Sequence, residues 1–115
     1  NLAACKPLTN ALIAQNSKGG KIAAICASPS VIFGPLGLLE GKHAVCYPGM
    51  ERGMTGAIVG YTPVAIDGNI VTGNGPAAAS AFGFAIVQES KGKDVARQVA
   101  EGMLFYDKLK EEFYF

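Results

Sequence analysis

The chain has 115 residues, of which half are apolar and 17% are charged, and its formal charge is +1. A net charge this small does not indicate nucleic acid or an anionic membrane as the main partner, and it favours a small molecule or a protein. No apolar run is long enough to span a bilayer, and no signal-peptide pattern opens the chain. We therefore predict one cytoplasmic domain over residues 1–115.

The first half of the chain alternates between helix and strand patterns. Apolar residues at helical spacing predict a helix over residues 6–15. The continuous apolar run 21–26 then predicts a short strand that is fully buried. Ser28 and Pro29 suit a helix start, with the serine as N-cap, and this helix should weaken near residues 34–35.

A hairpin is predicted in the second half, after a short strand at residues 43–46. Segments 63–66 and 69–73 have strand character and flank Asp67 and Gly68. This dipeptide favours a tight turn in which both central residues adopt positive φ.

Two helices are predicted to follow the hairpin. Residues 77–90 are apolar on nearly every face, which indicates a well-buried helix. A last helix from about Lys93 should pack through a stripe of Val95, Val99 and Met103, which Tyr106 would extend. Together these elements predict an α/β fold with an open, mainly parallel sheet and helices on both faces. The short strands leave apolar faces without partners, and the chain starts with Asn1 rather than Met, so we expect a fragment completed by a companion segment.

Cys26 is the main candidate for chemistry, because it stands between a strand and a helix start. Such a turn holds a nucleophile outward, and the first N–H groups of the next helix favour the thiolate. An inert core cysteine is the alternative, since cysteine is among the most buried residue types. The three cysteines, Cys5, Cys26 and Cys46, form an odd set without a C-x-x-C pair, which is typical of reduced cytosolic thiols.

Four blocks carry a family resemblance: "AAICASP", "GLLEGKHAVCYPG", "VAIDGNIVTGNGP" and "AFGFAIVQESKGKDVARQV". In this order they resemble roughly the last two thirds of a DJ-1/ThiJ/PfpI superfamily member. The resemblance implies a flavodoxin-like three-layer sandwich, shared with class I glutamine amidotransferases, and makes Cys26 the elbow cysteine. PfpI-type proteases usually have histidine next, whereas this chain has Ala27, which is closer to the DJ-1/YajL branch.

The resemblance also implies which groups complete the site. In that branch the cysteine works with a buried glutamate from the first strand-helix unit, and a glycine-rich loop completes the oxyanion site. Neither has a counterpart in these 115 residues. The resemblance therefore implies an N-terminal companion segment, a homodimer, and neither a metal nor an organic cofactor.

Pocket residues can be carried over one by one. Tyr47 stands where the family often has a histidine before the proline, and a phenol is a poor base near neutral pH. Gly75 and Pro76 match a Gly-Pro pair that approaches the cysteine, although a plain helix start would explain the pair as well. With Ala27, these three residues are the expected oxyanion site and pocket.

Other polar residues receive structural interpretations. We interpret His43 as a structural or surface residue rather than a catalytic one. A metal pair of His43 with Cys46 has even less support than a catalytic role. Ser28 is interpreted as an N-cap rather than a catalytic serine. Cys46 is expected to be a second, less reactive thiol.

The resemblance implies a cysteine-dependent enzyme that acts on reactive carbonyls, in the manner of a glyoxalase or deglycase, and senses oxidative stress through its cysteine. One alternative is a redox-regulated chaperone or assembly protein, for which an aromatic stripe of Phe105, Leu109 and Phe113 would pack on the body or on a second subunit. The other alternative is an intracellular PfpI-type cysteine protease acting on protein substrates, which ranks last because Ala27 replaces the adjacent histidine.

Overall fold

The computed structural model describes residues 1–105. These residues form two compact units, Asn1–Phe82 and a second that begins at Gly83. None of the helices in the described part is long and apolar enough to cross a membrane. The elements in chain order are α1 (Lys6–Ser17), β1 (Ile22–Ile25), a π-helical turn (Pro29–Phe33), β2 (His43–Ala44), β3 (Ile58–Val59), β4 (Val64–Asp67), β5 (Ile70–Gly73), α2 (Ala79–Lys91) and α3 (Lys93–Gly102), with short 3₁₀ helices at Leu2–Ala4, Glu51–Gly53 and Pro76–Ala78.

The strands pair mainly in parallel. β1 runs parallel to β5, with Ile25 opposite Gly73, and β2 runs parallel to β3. β4 pairs antiparallel with β5, which gives the sheet order β1-β5-β4. The predicted mainly parallel α/β architecture is therefore confirmed.

β1 is buried on one face only, which corrects the prediction of a fully buried strand. Ile22 and Ala24 are buried, whereas Ala23 between them is exposed. Strand side chains alternate between faces, so Ala23 belongs to the opposite face, which the described residues leave partly open. That face borders an apolar groove of about 230 Å³, lined by Leu2, Leu8, Leu12, Ala23, Ala24, Ile25, Ser28, Ile32, Phe33 and Phe82.

The core lies between β1, the π-helical turn and the segment that carries β2. Its members are buried apolar residues from these elements, from β5 and from the segments on either side of β2: Ile22, Ala24, Ile32, Phe33, Leu38, Leu39, Ala44, Cys46, Met54 and Ile70. A polar residue also lies in the interior: Thr72 of β5 is fully buried. Its Oγ1 accepts a hydrogen bond from the Val45 N–H at 3.0 Å, so a side chain ties the β2 segment to β5 where backbone pairing is absent.

The hairpin forms between β4 and β5 as predicted, but its turn is shifted by one residue. Asp67 pairs with Ile70, so the loop residues are Gly68 and Asn69 rather than Asp67 and Gly68. Only Gly68 of these has positive φ, at 58°, which fits a type II′ turn. Asp67 is used differently: its Oδ2 accepts a hydrogen bond from the His43 N–H at 2.8 Å. Asp67, the last residue of β4, therefore anchors β2.

The helix predicted after Ser28 is a single π-helical turn, and Ser28 does not cap it. Ser28 already has helical dihedral angles, φ −60° and ψ −39°, and its side chain makes no capping hydrogen bond. An N-cap needs an extended backbone for its oxygen to reach the following N–H groups, so the N-cap prediction is wrong. The serine two positions later takes a structural role instead, because Ser30 Oγ donates to the Met50 carbonyl at 2.6 Å.

Glycines let the π-helical turn pack closely on the loop that follows β2. A Cβ on Gly34 would overlap the Gly53 carbonyl oxygen, and a Cβ on Gly53 would overlap the Ser30 hydroxyl. Two backbones approach each other at this point without space for a side chain. The turn that follows Cys26 is thereby fixed against the 3₁₀ helix Glu51–Gly53.

α2 is less buried than its apolar sequence predicts. Ala85 is its one buried residue, Ala81 and Phe82 are half-buried, and Ile86 is exposed. The prediction of a well-buried helix is therefore wrong for the described residues, which provide too little apolar surface to cover it.

α3 buries a different face from the predicted stripe. Ala96 and Ala100 are buried, while Val95, Val99 and Met103 are exposed by 38%, 39% and 61%. The two alanines are four residues apart and share one face, which lies one residue around the helix from the valines. In the aromatic tail, Phe105 contacts Phe84 edge-to-face with ring centroids 4.7 Å apart, whereas Tyr106, Leu109 and Phe113 lie outside the described residues.

Candidate functional site

Cys26 occupies a sharp turn at the carboxyl end of β1. Its φ is +67°, and Leu104 is the only other non-glycine residue in 1–105 with positive φ. A side chain in this left-handed region costs roughly 1–2 kcal/mol, so the surrounding structure must hold it there. The Cys26 N–H donates to the Gly73 carbonyl at 3.0 Å, and the Cys26 carbonyl accepts from the Tyr47 N–H at 2.8 Å. The predicted strand-to-helix turn is present, and its half-buried thiol is unpaired with any other cysteine.

Ala27 begins the turn of the chain into the π-helical segment. Its carbonyl accepts hydrogen bonds from the Ser30 and Val31 N–H groups at 3.0 and 2.9 Å. Its own N–H has no acceptor among residues 1–105. In elbow sites, the N–H of the residue after the nucleophile stabilises the oxyanion. Ala27 therefore offers a donor of the right kind next to Cys26.

The Tyr47 backbone is hydrogen-bonded to Cys26, and the Tyr47 ring lies next to Gly75. A Cβ on Gly75 would be 3.6 Å from Tyr47 Cδ2, so the ring lies over this glycine. The Tyr47 side chain is 47% exposed. The structure thus brings Cys26, Ala27, Tyr47 and Gly75 together. Pro76 is exposed and opens the 3₁₀ helix after Gly75, which is the role of a helix start.

Cys46 directly precedes Tyr47 and lies in the core. It is 5% exposed, and its Sγ donates to the Tyr47 carbonyl at 3.4 Å. Burial raises the pKa of the Cys46 thiol, and the nearby Glu51 and Cys26 raise it further. A buried thiol that resists ionisation is a poor nucleophile. This environment agrees with the prediction of a second, less reactive thiol.

His43 lies on β2 and is not one of the residues that meet at Cys26. Its side chain is exposed on β2, and its backbone N–H is engaged by Asp67. The neighbouring strand position Ala44 is buried, as is Cys46. Residues 1–105 contain no group of three or more His, Cys, Asp or Glu side chains arranged to hold a metal ion.

Asn74 is a site neighbour that the sequence analysis did not single out. β1 and β5 pair in register up to Ile25 and Gly73, so the next residues, Cys26 and Asn74, leave the sheet side by side. The Asn74 N–H donates to the Pro63 carbonyl at 2.9 Å. Only the strand register reveals this neighbour, and a single sequence does not give the register of two strands that lie 44 residues apart.

Comparison with known proteins places this geometry in a family. The model of the DJ-1/PfpI family matches residues 1–89. Protein DJ-1 homolog B of Arabidopsis thaliana is 38% identical over 110 residues, covering 95% of this chain and 25% of its own length. Protein dj-1beta of Drosophila melanogaster is 39% identical over 95 residues, covering 81% of this chain and 50% of its own length.

Solved structures agree with these relatives. The structure titled "Toxoplasma gondii DJ-1, oxidized" superposes with a TM-score of 0.85 at 33% identity, covering 90% of this chain and 56% of that one. Drosophila melanogaster DJ-1beta superposes with a TM-score of 0.79 at 35% identity, again covering 90% of this chain and 56% of that one. The chain thus spans between a quarter and just over half of the length of these relatives. The flavodoxin-like fold follows, and the chain belongs to the DJ-1/PfpI family, on the DJ-1 side of it.

Proposed function

We propose that the protein is a cysteine-dependent enzyme of the DJ-1 type that converts reactive dicarbonyls, with Cys26 as its nucleophile. The observation that carries the proposal is the Cys26 turn, in which a half-buried, unpaired thiol is held at φ +67° by hydrogen bonds on both sides. A strained turn of this kind is kept where the position of one side chain matters.

The chemistry begins with addition of sulfur to a carbonyl. The Cys26 thiolate attacks the aldehyde carbon of a 2-oxoaldehyde, the C=O π electrons move to oxygen, and protonation of that oxygen gives a hemithioacetal. A base then moves the proton from this carbon to the adjacent one, which produces the thioester of a 2-hydroxy acid. Water hydrolyses the thioester and regenerates the thiol. The sum is the addition of one water, without an external oxidant or reductant.

Residues of this chain support the first step. The Ala27 N–H has no acceptor among residues 1–105, and it would stabilise the negative charge that develops on the carbonyl oxygen. Tyr47, whose ring lies over Gly75 and is partly exposed, would donate a hydrogen bond to the same substrate. By the family resemblance, the base for the proton transfer is a glutamate from a part of the protein outside these 115 residues, and the whole protein would act as a homodimer.

Oxidative-stress sensing is proposed for the same thiol. A peroxide would convert the Cys26 thiolate to the sulfenic acid, which blocks attack on a carbonyl. One site would thus combine carbonyl conversion with a reversible response to oxidant.

The test measures loss of methylglyoxal and formation of lactate by the purified full-length protein, with Cys26→Ala and Cys5→Ser variants. Cys5 is exposed, so its replacement removes one thiol at no cost to the core and serves as the matched control. Cys26→Ala should lower kcat/KM by roughly 100-fold or more, and Cys5→Ser should stay within about twofold of the wild type. Equal turnover by wild type and Cys26→Ala would contradict the proposal.

A further inference from the structure

We propose that Cys46 is the resolving partner of Cys26: once a peroxide has oxidised Cys26 to the sulfenic acid, the two residues form a disulfide that protects Cys26 from further oxidation. This inference rests on the proposed function in one respect, because it takes Cys26 as the reactive thiol.

Backbone geometry places the two cysteines next to each other. The Tyr47 N–H donates to the Cys26 carbonyl at 2.8 Å, and Cys46 directly precedes Tyr47. Only this hydrogen bond and the two peptide groups that form it separate the Cα atoms of Cys26 and Cys46. Disulfides join cysteines whose Cα atoms are roughly 4.4–6.8 Å apart, a separation that such a link can span.

Side-chain placement supports the same pairing. Ala44 and Cys46 alternate onto one face of their segment, and both lie in the core cluster with Ile22 and Ala24 of β1. Cys26 directly follows β1, whose residues Ile22 and Ala24 belong to this cluster. The two thiols are also close enough for a charge on Cys26 to raise the pKa of Cys46.

Exposure decides which thiol reacts first. Cys26 is half-buried and reachable by a small peroxide, whereas Cys46 is buried. Burial raises the pKa of the Cys46 thiol, and Glu51 and Cys26 raise it further, which disfavours direct reaction of Cys46 with peroxide. Oxidation therefore begins at Cys26, and Cys46 reacts second.

The two steps balance with one peroxide. The Cys26 thiolate attacks the distal peroxide oxygen, the O–O bond breaks, and after protonation the products are Cys26 sulfenic acid and an alcohol or water. The Cys46 thiolate then attacks the sulfur of the sulfenic acid, an S–S bond forms, and hydroxide leaves as water after protonation. Two electrons pass from the two thiols to the peroxide.

The experiment treats the reduced full-length protein with several equivalents of hydrogen peroxide, because sulfinate formation consumes two peroxides per thiol, and follows intact mass and mapped peptides over time. The variants are Cys46→Ser, Cys46→Ala in case the hydroxyl is not accommodated in the core, and Cys5→Ser as the matched control. Wild type and Cys5→Ser should lose two hydrogen atoms and yield a peptide pair linked through Cys26 and Cys46. In both Cys46 variants, Cys26 should gain two oxygen atoms as sulfinate, at least several-fold faster than in the wild type.

Three outcomes separate the inference from the proposed function. Cys26 sulfinate forming equally fast in wild type and Cys46 variants, with no linked peptide, would overturn the resolving role and leave Cys26 as the nucleophile. A disulfide of Cys5 with either residue, in place of the Cys26–Cys46 pair, would also overturn it. Failure of Cys26 to react with peroxide or iodoacetamide at all would instead count against the proposed function.

Discussion

Cys26 and Cys46 lie at the two ends of one contact, because the Cys26 carbonyl accepts a hydrogen bond from the N–H of Tyr47, the residue after Cys46, yet the surroundings of the two thiols differ. Cys26 is half-buried, on a left-handed turn after β1, beside the Ala27 N–H, which has no acceptor within residues 1–105. Cys46 lies in the core, where burial raises the pKa of its thiol and Glu51 and Cys26 raise it further. Two identical side chains therefore stand in different environments, and under the proposed function only Cys26 acts as the nucleophile. The difference teaches that the turn, rather than the residue type, makes a candidate nucleophile.

Removal of the Cys26 thiol should have the largest effect. Cys26→Ala keeps a Cβ at the left-handed turn, so the fold and its strain should be retained while the candidate nucleophile is lost. We expect fast alkylation by iodoacetamide to disappear, with a fall of roughly tenfold or more in the rate of the fastest-reacting thiol, which is then the exposed Cys5. Peptide mapping checks this, and fast alkylation that persists at Cys46 would reverse the comparison.

The packing behind the Cys26 turn provides the second test. Gly34→Ala places a Cβ against the Gly53 carbonyl, where neither backbone has room to move, so the free energy of unfolding should fall by about 3 kcal/mol. Gly83→Ala is the matched control, because a Cβ on this helical glycine meets nothing within 4 Å. We expect the control to stabilise the protein by about 0.5–1 kcal/mol. Chemical denaturation measures both, and equal values would show that the close approach does not exist.

Loss of the hydrogen bond between Thr72 and Val45, which holds the segment that carries Cys46, should have a smaller effect. Thr72→Val removes the acceptor of the Val45 N–H and leaves a buried donor unpaired, which should cost about 1–2 kcal/mol. Thr72→Ser keeps the hydroxyl and should lose less. Because Val45 directly precedes Cys46, alkylation of Cys46 should accelerate in Thr72→Val while that of Cys26 stays unchanged. Acceleration at Cys26 instead would show that this tie supports the other thiol.

The smallest effect is a pH dependence that belongs to Cys46. Its raised pKa means that the folded state keeps the thiol proton at pH values where the unfolded state loses it. Folded protein then binds more protons, so the free energy of unfolding falls as pH rises above the ordinary thiol pKa of about 8.5. The slope is at most about 1.4 kcal/mol per pH unit. The free energies of unfolding of wild type and Cys46→Ala should converge above that pH. A difference that stays constant with pH would show that the pKa of Cys46 is not raised in the folded state.

The sequence predicts the element order and the Cys26 turn because both rest on local patterns. The helix predicted over 6–15 is observed at Lys6–Ser17, and the strand ending in Cys26 is observed at Ile22–Ile25. The hairpin is predicted by its Asp-Gly pair, although the structure moves the turn to Gly68 and Asn69. Local backbone preferences act over a few residues, so they are readable from one chain.

Contacts between distant segments could not be predicted in the same way. No local sequence pattern indicates that Tyr47 donates to Cys26 or that Asn74 leaves the sheet beside Cys26. Both contacts depend on how segments far apart in the sequence align. The buried face of α3 was missed for a related reason. Hydropathy predicts that Val95 and Val99 are buried, but Ala96 and Ala100 are buried instead. Small side chains allow close packing of the helix, and a hydropathy pattern does not include this effect.

The most direct measurement is a time course of iodoacetamide labelling of the native full-length protein, with peptide mapping of all three cysteines. Cys5 is exposed and serves as the internal reference for an accessible thiol. The account predicts that Cys26 is labelled at least about tenfold faster than Cys5, although Cys26 is less exposed, and that Cys46 is labelled slowest. Labelling of Cys26 no faster than Cys5, or slower than Cys46, would contradict the assignment of Cys26 as an activated nucleophile.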